Sequence, residues 1–144
     1  PGRKIAVLGD MGELGENEQE LHAMVGEHFE GKGIDALFAA GALSENLAQA
    51  VGKCSKETEV HYFKTKDELM EELLPYVKSG DTVLVKASHF MGFEDFMTKI
   101  GRTGVDTEQF DNWGNTMQFN WIPPIDIDKI INYYLILILL NRIF

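Results

Sequence analysis

Over its first hundred residues the chain alternates short unbroken apolar runs with helical stripes of apolar positions. The run Ile5-Ala6-Val7-Leu8 has the length and density of a strand covered on both faces. It runs into Gly9 and an acidic, glycine-spaced loop, with Asp10 and Glu13 just past its carboxyl end. Residues 18–31 place Leu21, Met24, Val25, His28 and Phe29 at i, i+3, i+4, i+7 and i+8, which predicts a helix with that buried stripe. Asn17 is its expected N-cap, Glu20 stands as in a capping box, and Gly31 and Gly33 are its expected stop. A strand over 34–40 closed by Gly41 follows, then a helix over 44–51 stopped by Gly52, and a shorter strand over 60–63. Thr65, with Glu68 three residues on, caps a helix whose predicted face is Leu69, Leu73, Tyr76 and Val77. A turn at Ser79-Gly80-Asp81 leads into a strand over 82–86, and Phe93, Phe96, Met97 and Ile100 mark a helix after Met91.

Four strands separated by crossovers of helical length imply parallel pairing. The fold class expected is α/β, a doubly wound, mostly parallel sheet with helices on both faces. Beyond Ile100 the pattern stops. Residues 101–121 are polar and turn-rich, Pro123-Pro124 breaks any element, and 133–140 is an unbroken apolar run. That run is well short of the roughly 20 residues that span a bilayer. The organisation expected is therefore one domain over 1–100 and an atypical tail of foreign or altered origin over 101–144.

Composition narrows the function classes. A length of 144 residues with 44% apolar and 25% charged side chains is that of a single soluble domain. A formal charge of −10 argues against nucleic acid, whose phosphates need clustered Lys and Arg. The single cysteine, Cys54, has no partner for an internal disulfide, and no Cys/His set has zinc spacing. Both fit a reducing cytoplasm. The opening lacks a basic-then-apolar leader and begins at Pro1 rather than Met, so a piece of a longer polypeptide is expected.

Two strand ends carry chemistry. The first is the loop with Asp10 and Glu13; the second is Lys86-Ala87-Ser88-His89, after the strand over 82–86. In open α/β sheets, ligands bind outside the carboxyl ends of the strands.

The segments LGDMGELG (8–15), ELH (20–22), IDALFAAG (34–41) and GDTVLVKAS (80–88), in this order and spacing, resemble the C-terminal domain of the Mur ligase family over about residues 3–100. The likeness is greatest to the branch that uses D-alanyl-D-alanine. It implies a Rossmann-like third domain of a cytoplasmic, ATP-dependent amide ligase of peptidoglycan synthesis, with Mg2+ as the companion ion. The implied partners are D-Ala-D-Ala, UDP-MurNAc-tripeptide, and the N-terminal and central domains of the same polypeptide, with no nucleic acid and no membrane span. In that family the third domain carries the incoming amino component and closes over the nucleotide, which excludes water from an acyl phosphate. A phosphate loop ending Gly-Lys-Ser or Gly-Lys-Thr is absent here: Gly31-Lys32 is followed by Gly33, and Gly52-Lys53 by Cys54. The chain on its own is expected to have neither ATPase nor ligase activity.

The resemblance implies a substrate-binding set of Asp10, Glu13, His22, Lys86, Ser88 and His89, with no catalytic group and no metal site in this segment. Asp10 suits an ammonium group or a ribose hydroxyl, or else caps its local turn. Glu13 is a weaker candidate, because an exposed loop glutamate is usually solvated. Lys86 suits a carboxylate or phosphate, or points into solvent. Ser88 either bonds a ligand carboxylate or caps the helix after it. His89 stands where the family usually has arginine and offers no bidentate fork. His22 is either a contact or a packed helix residue. His28 and His61 are expected to be structural, Cys54 a passive thiol, and Met91-Gly92-Phe93 a helix entry. Gly9, Gly12 and Gly15 are expected to serve positive backbone angles, and at position 12 the family usually has a side chain. Two alternatives stay open: a stand-alone flavodoxin-like binding or signalling module without catalysis, and the third domain of a sister Mur ligase.

Overall fold

The computed structural model describes residues 2–78, 80–93 and 99. Strand β1 (Lys4–Gly9) leads through a 3-10 turn (Gly15–Asn17) to α1 (Glu18–Glu27), then β2 (Ala36–Ala40) and α2 (Ser44–Cys54). Strand β3 (Glu59–Phe63), α3 (Lys66–Tyr76), β4 (Thr82–Lys86) and a final 3-10 turn (His89–Met91) follow. The four strands form one sheet in the order β3-β2-β1-β4, every neighbouring pair parallel.

Alternation along the strands splits the core in two. Ala6, Leu8, Leu37, Ala39 and Leu84 face α1 and α2, packing with Val25, Phe29, Leu47 and Val51. Ile5, Val7, Phe38 and Val83 face the other way, onto Leu69, Met70 and Leu73 of α3. Both faces are covered, as the unbroken apolar runs require. This is the doubly wound class expected.

The chain moves from β1 outward through β2 to β3, then crosses beneath the sheet to place β4 on the free side of β1. The strand order therefore reverses between β1 and β4, and the carboxyl ends of strands at such a reversal are where ligands bind in open α/β sheets. At the opposite ends of the same strands Arg3 binds Asp81. Its Nε and Nη2 donate to the carboxylate at 3.2 and 2.6 Å, and Nη2 also reaches the Tyr76 carbonyl at 2.7 Å. Burial alone would raise the Asp81 carboxyl, but bonds from Arg3 and the Lys78 backbone outweigh it and hold the group below its usual range.

Thr65 and Glu68 form the expected capping box in full, and β4 has the expected bounds. Four expectations are corrected. Asn17 makes no side-chain cap bond, because its φ/ψ of −98/18 is not the extended geometry of a capping residue. The buried face of α1 is His22, Val25 and Gly26, continued by Phe29, while Met24 is 40% exposed. Helix α1 ends at Glu27, before Gly31 and Gly33, whereas Gly52 lies inside α2. Of Gly9, Gly12 and Gly15, only Gly15 has a positive φ. The other two answer to space: a Cβ on Gly9 would come within 2.7 Å of the Ala87 side chain, and one on Gly12 within 2.9 Å of the Phe90 ring. Most of the helix expected after Met91, and the tail over 101–144, lie outside the described residues.

Candidate functional site

Two loops clasped to each other follow the carboxyl ends of β1 and β4. Leu8 pairs with Lys86 across β1 and β4, so both strands stop at the same level. Past that level Ser88 N–H donates to the Asp10 carbonyl at 3.1 Å, and Gly12 N–H donates to Ser88 Oγ at 2.6 Å. Accepting that bond leaves the Ser88 hydroxyl hydrogen available to a ligand. Met91 N–H in turn donates to the Ser88 carbonyl at 2.9 Å, which closes the 3-10 turn.

Asp10 is 8% exposed and reaches 33 residues along the chain. Its Oδ1 accepts from Leu43 N–H at 3.1 Å, Ser44 N–H at 2.7 Å and Ser44 Oγ at 2.7 Å. Leu43 and Ser44 open α2 and have no local side-chain cap, so Asp10 serves as that helix's N-cap from another strand. A carboxylate there also suits the positive end of the helix dipole. All three bonds fall on Oδ1; among the described residues Oδ2 takes none. Gly41, at φ 119, lies against this carboxylate so closely that a Cβ would come within 2.5 Å of each of its three atoms. Ser44 and Gly41 thus belong to the site's support. Neither has a local sequence signal, since their partner is far along the chain.

His22 is fully buried beneath the same loop. Met11 N–H donates to its Nε2 at 2.9 Å, so Nε2 carries no proton and Nδ1 donates to the Glu18 carbonyl at 2.6 Å. Burial pushes the imidazole below its ordinary value, against smaller opposing effects from the Glu18 carbonyl and the Asp10 charge. The unfolded chain therefore binds this proton more readily than the folded one. The stability the neutral ring contributes is complete above about pH 6.5 and is lost as pH falls through the folded value. We expect the urea midpoint to drop on acidification below that point, with a slope of at most about 1.4 kcal/mol per pH unit for one proton. In His22→Gln, which keeps an acceptor and a donor, that part of the slope should vanish. An unchanged pH profile would show that His22 titrates alike in both states.

Lys86 is half-buried at the end of β4 and, by alternation with Leu84, lies on the α1/α2 face with Asp10 and His22. Its Nζ donates to the Ala87 carbonyl at 3.2 Å, and among the described residues no carboxylate lies within ion-pair distance. Burial pushes its ammonium below the ordinary lysine value. Glu13 is exposed and holds φ 61, the left-handed region that few non-glycine residues adopt. The backbone of His89 opens the last 3-10 turn. The structure therefore gathers Asp10, Lys86 and Ser88 at one rim, with His22 beneath it and Glu13 on the loop.

The rim does not fit ATP with Mg2+. A phosphate cradle needs free backbone N–H groups, a lysine and a hydroxyl together. Here the N–H groups of Met11 and Gly12 are already given to His22 and Ser88. Among the described residues no cluster of three His, Cys, Asp or Glu side chains is placed to hold a metal. What the rim offers is a cation, a hydroxyl and a carboxylate.

Comparison with known proteins gives one consistent result. The Mur ligase, glutamate ligase domain profile matches residues 1–89. The UDP-N-acetylmuramoyl-tripeptide–D-alanyl-D-alanine ligase of Bacillus subtilis is 32% identical over 99 residues, 69% of this chain and 22% of that protein. The enzyme of the same name from Synechocystis is 36% identical over 101 residues, with the same two coverages. The crystal structure of the MurF ligase of Thermotoga maritima in complex with ADP superposes with a TM-score of 0.54 at 28% identity, over 72% of this chain and 22% of that one. MurF from Acinetobacter baumannii has a TM-score of 0.58 at 23% identity, over 71% and 23%, a likeness of fold. The chain thus spans about a fifth of the length of the relatives it matches. Among the described residues, no helix is long and apolar enough to cross a membrane.

Proposed function

Because the chain belongs to the Mur ligase family through its glutamate ligase domain, we propose that it is the amino-component-binding and lid domain of a cytoplasmic amide ligase that joins D-Ala-D-Ala to UDP-MurNAc-tripeptide. The observation that carries this reading is the half-buried Lys86 ammonium, which has no carboxylate partner among the described residues and stands at the rim where the strand order reverses. A desolvated cation without a counter-ion is costly to the fold and is supplied with one by a dipeptide carboxylate. Ser88 donates its free hydroxyl hydrogen to the same carboxylate. Asp10 Oδ2 and Glu13 receive the dipeptide's ammonium end. His22 acts one layer back by holding Met11, and with it the loop.

The domain's work is then to bind, orient and exclude water. Activation of the acceptor carboxylate is supplied elsewhere, by ATP and Mg2+ on a central domain of the longer ligase, so the chain alone forms no amide. Closure of the lid brings the dipeptide amine in line with the activated carboxyl, and this positioning is where such a domain contributes rate.

The test is Lys86→Met in the polypeptide made from the complete reading frame. Losing one charged hydrogen bond should raise KM for D-Ala-D-Ala about 10–100-fold, leave KM for ATP unchanged, and raise the denaturation midpoint slightly as a buried charge is removed. A variant with the wild-type KM for the dipeptide would take Lys86 out of the site and remove the main support for the reading.

A further inference from the structure

Phe90 is the one large apolar side chain at these two strand-end loops that the described structure leaves open, 72% exposed. It follows directly on Lys86, Ser88 and His89, in the 3-10 turn that Ser88 initiates. Its ring lies across the acidic loop: a Cβ on Gly12 would meet Phe90 Cε1 at 2.9 Å and Cδ1 at 3.5 Å, with Ser88 Oγ at 3.3 Å. Gly12 does not have a positive φ, so its lack of a side chain makes room for this ring. The ring is thus seated on the loop backbone beside the Gly12–Ser88 hydrogen bond, with most of its surface toward solvent. An exposed aromatic gains nothing from the core, and polar ligand sites commonly pair a few charged groups with one apolar wall.

We infer that Phe90 is a specificity-determining residue of the amino-component site, its ring forming the apolar wall against the dipeptide's methyl side chains. The inference rests on the function proposed above and adds to it the feature that separates alanyl from glycyl substrates. Lys86, Ser88 and Asp10 recognise only the termini, which every dipeptide carries. Discrimination by side chain needs an apolar surface within van der Waals reach, and Phe90 provides it from a loop that the Gly12–Ser88 clasp holds in place.

The experiment uses the polypeptide from the complete reading frame, with D-Ala-D-Ala beside glycyl-D-alanine and D-alanylglycine, each lacking one methyl. Phe90→Ala should narrow the preference in kcat/KM for D-Ala-D-Ala over at least one of these by about 5–20-fold, the scale of a lost methyl contact. Gly12→Ala should narrow it in the same direction, because the added methyl pushes the ring edge aside. Its denaturation midpoint should hardly move, since the ring that must yield is free to swing outward. Unchanged ratios in both variants would overturn the inference, as would an equal loss on all three dipeptides, which would assign the ring to a contact with another domain. A wild-type enzyme that forms no amide with D-Ala-D-Ala would overturn the proposed function and this inference together. Intact ligation with unaltered ratios would overturn only the role of Phe90.

Discussion

Gly26→Ala is expected to destabilise the chain by about 3 kcal/mol or more, enough to unfold a large share of it under conditions where the parent is native. In an exposed helix this substitution stabilises by roughly 0.5–1 kcal/mol, because alanine is the better helix former. Here the sign reverses. A Cβ at position 26 would stand 2.4 Å from the Leu47 carbonyl oxygen, 2.7 Å from Ala50 Cβ and 3.2 Å from the Val51 nitrogen. Two of those three atoms are backbone of α2, so relief requires moving a whole helix whose other face is fixed on the sheet through Leu47 and Val51. The measurement is a urea midpoint for both chains. A midpoint equal to or above the parent's would mean that α1 and α2 do not approach this closely.

Asp10→Ala should have the second largest effect, in two currencies that Asp10→Asn separates. Alanine leaves the N–H groups of Leu43 and Ser44 and the Ser44 hydroxyl without their acceptor in a buried setting, a cost of about 2–4 kcal/mol. Ligation by the complete enzyme should fall more than 100-fold, since the start of α2 and the loop lose their common anchor. Asparagine keeps an oxygen that can cap α2 and loses only the charge. If Asp10 also meets the ammonium of the amino component, Asp10→Asn should fold with a midpoint within about 1 kcal/mol of the parent. Its kcat/KM for the dipeptide should nevertheless fall about 10–100-fold. A folded, fully active Asp10→Asn would confine this carboxylate to holding the helix.

Sheet class and strand positions were legible because buried parallel strands leave unbroken apolar runs, and Thr65 with Glu68 was legible because a capping box is local. The face of α1 was not. Positions 22, 25, 26 and 29 have the same helical spacing as 21, 24, 25 and 28, but the true stripe holds a buried histidine and a glycine, which read as polar or neutral. Burying His22 needs two partners, the Met11 N–H and the Glu18 carbonyl, and the first comes from a loop whose path no helical period reveals. Asp10 was legible as a strand-end carboxylate, while its hold on α2 was not, because the partners lie 33 and 34 residues away. Gly12 and Phe90 form a similar case. Each is unremarkable in sequence, and only their contact explains the glycine.

β1 and β4 lie side by side and run the same way, with five positions paired from Lys4↔Thr82 to Leu8↔Lys86. The chain enters at the foot of one strand and leaves from the head of the other. Tension between Gly2 and Phe93 would therefore slide the two strands lengthwise and load every rung of that ladder simultaneously, where a hairpin would unzip rung by rung. The sheet resists such a pull as a stiff plate, with the Arg3–Asp81 clasp as a rivet at its lower edge. Under such a pull β1 and β4 give way together or not at all.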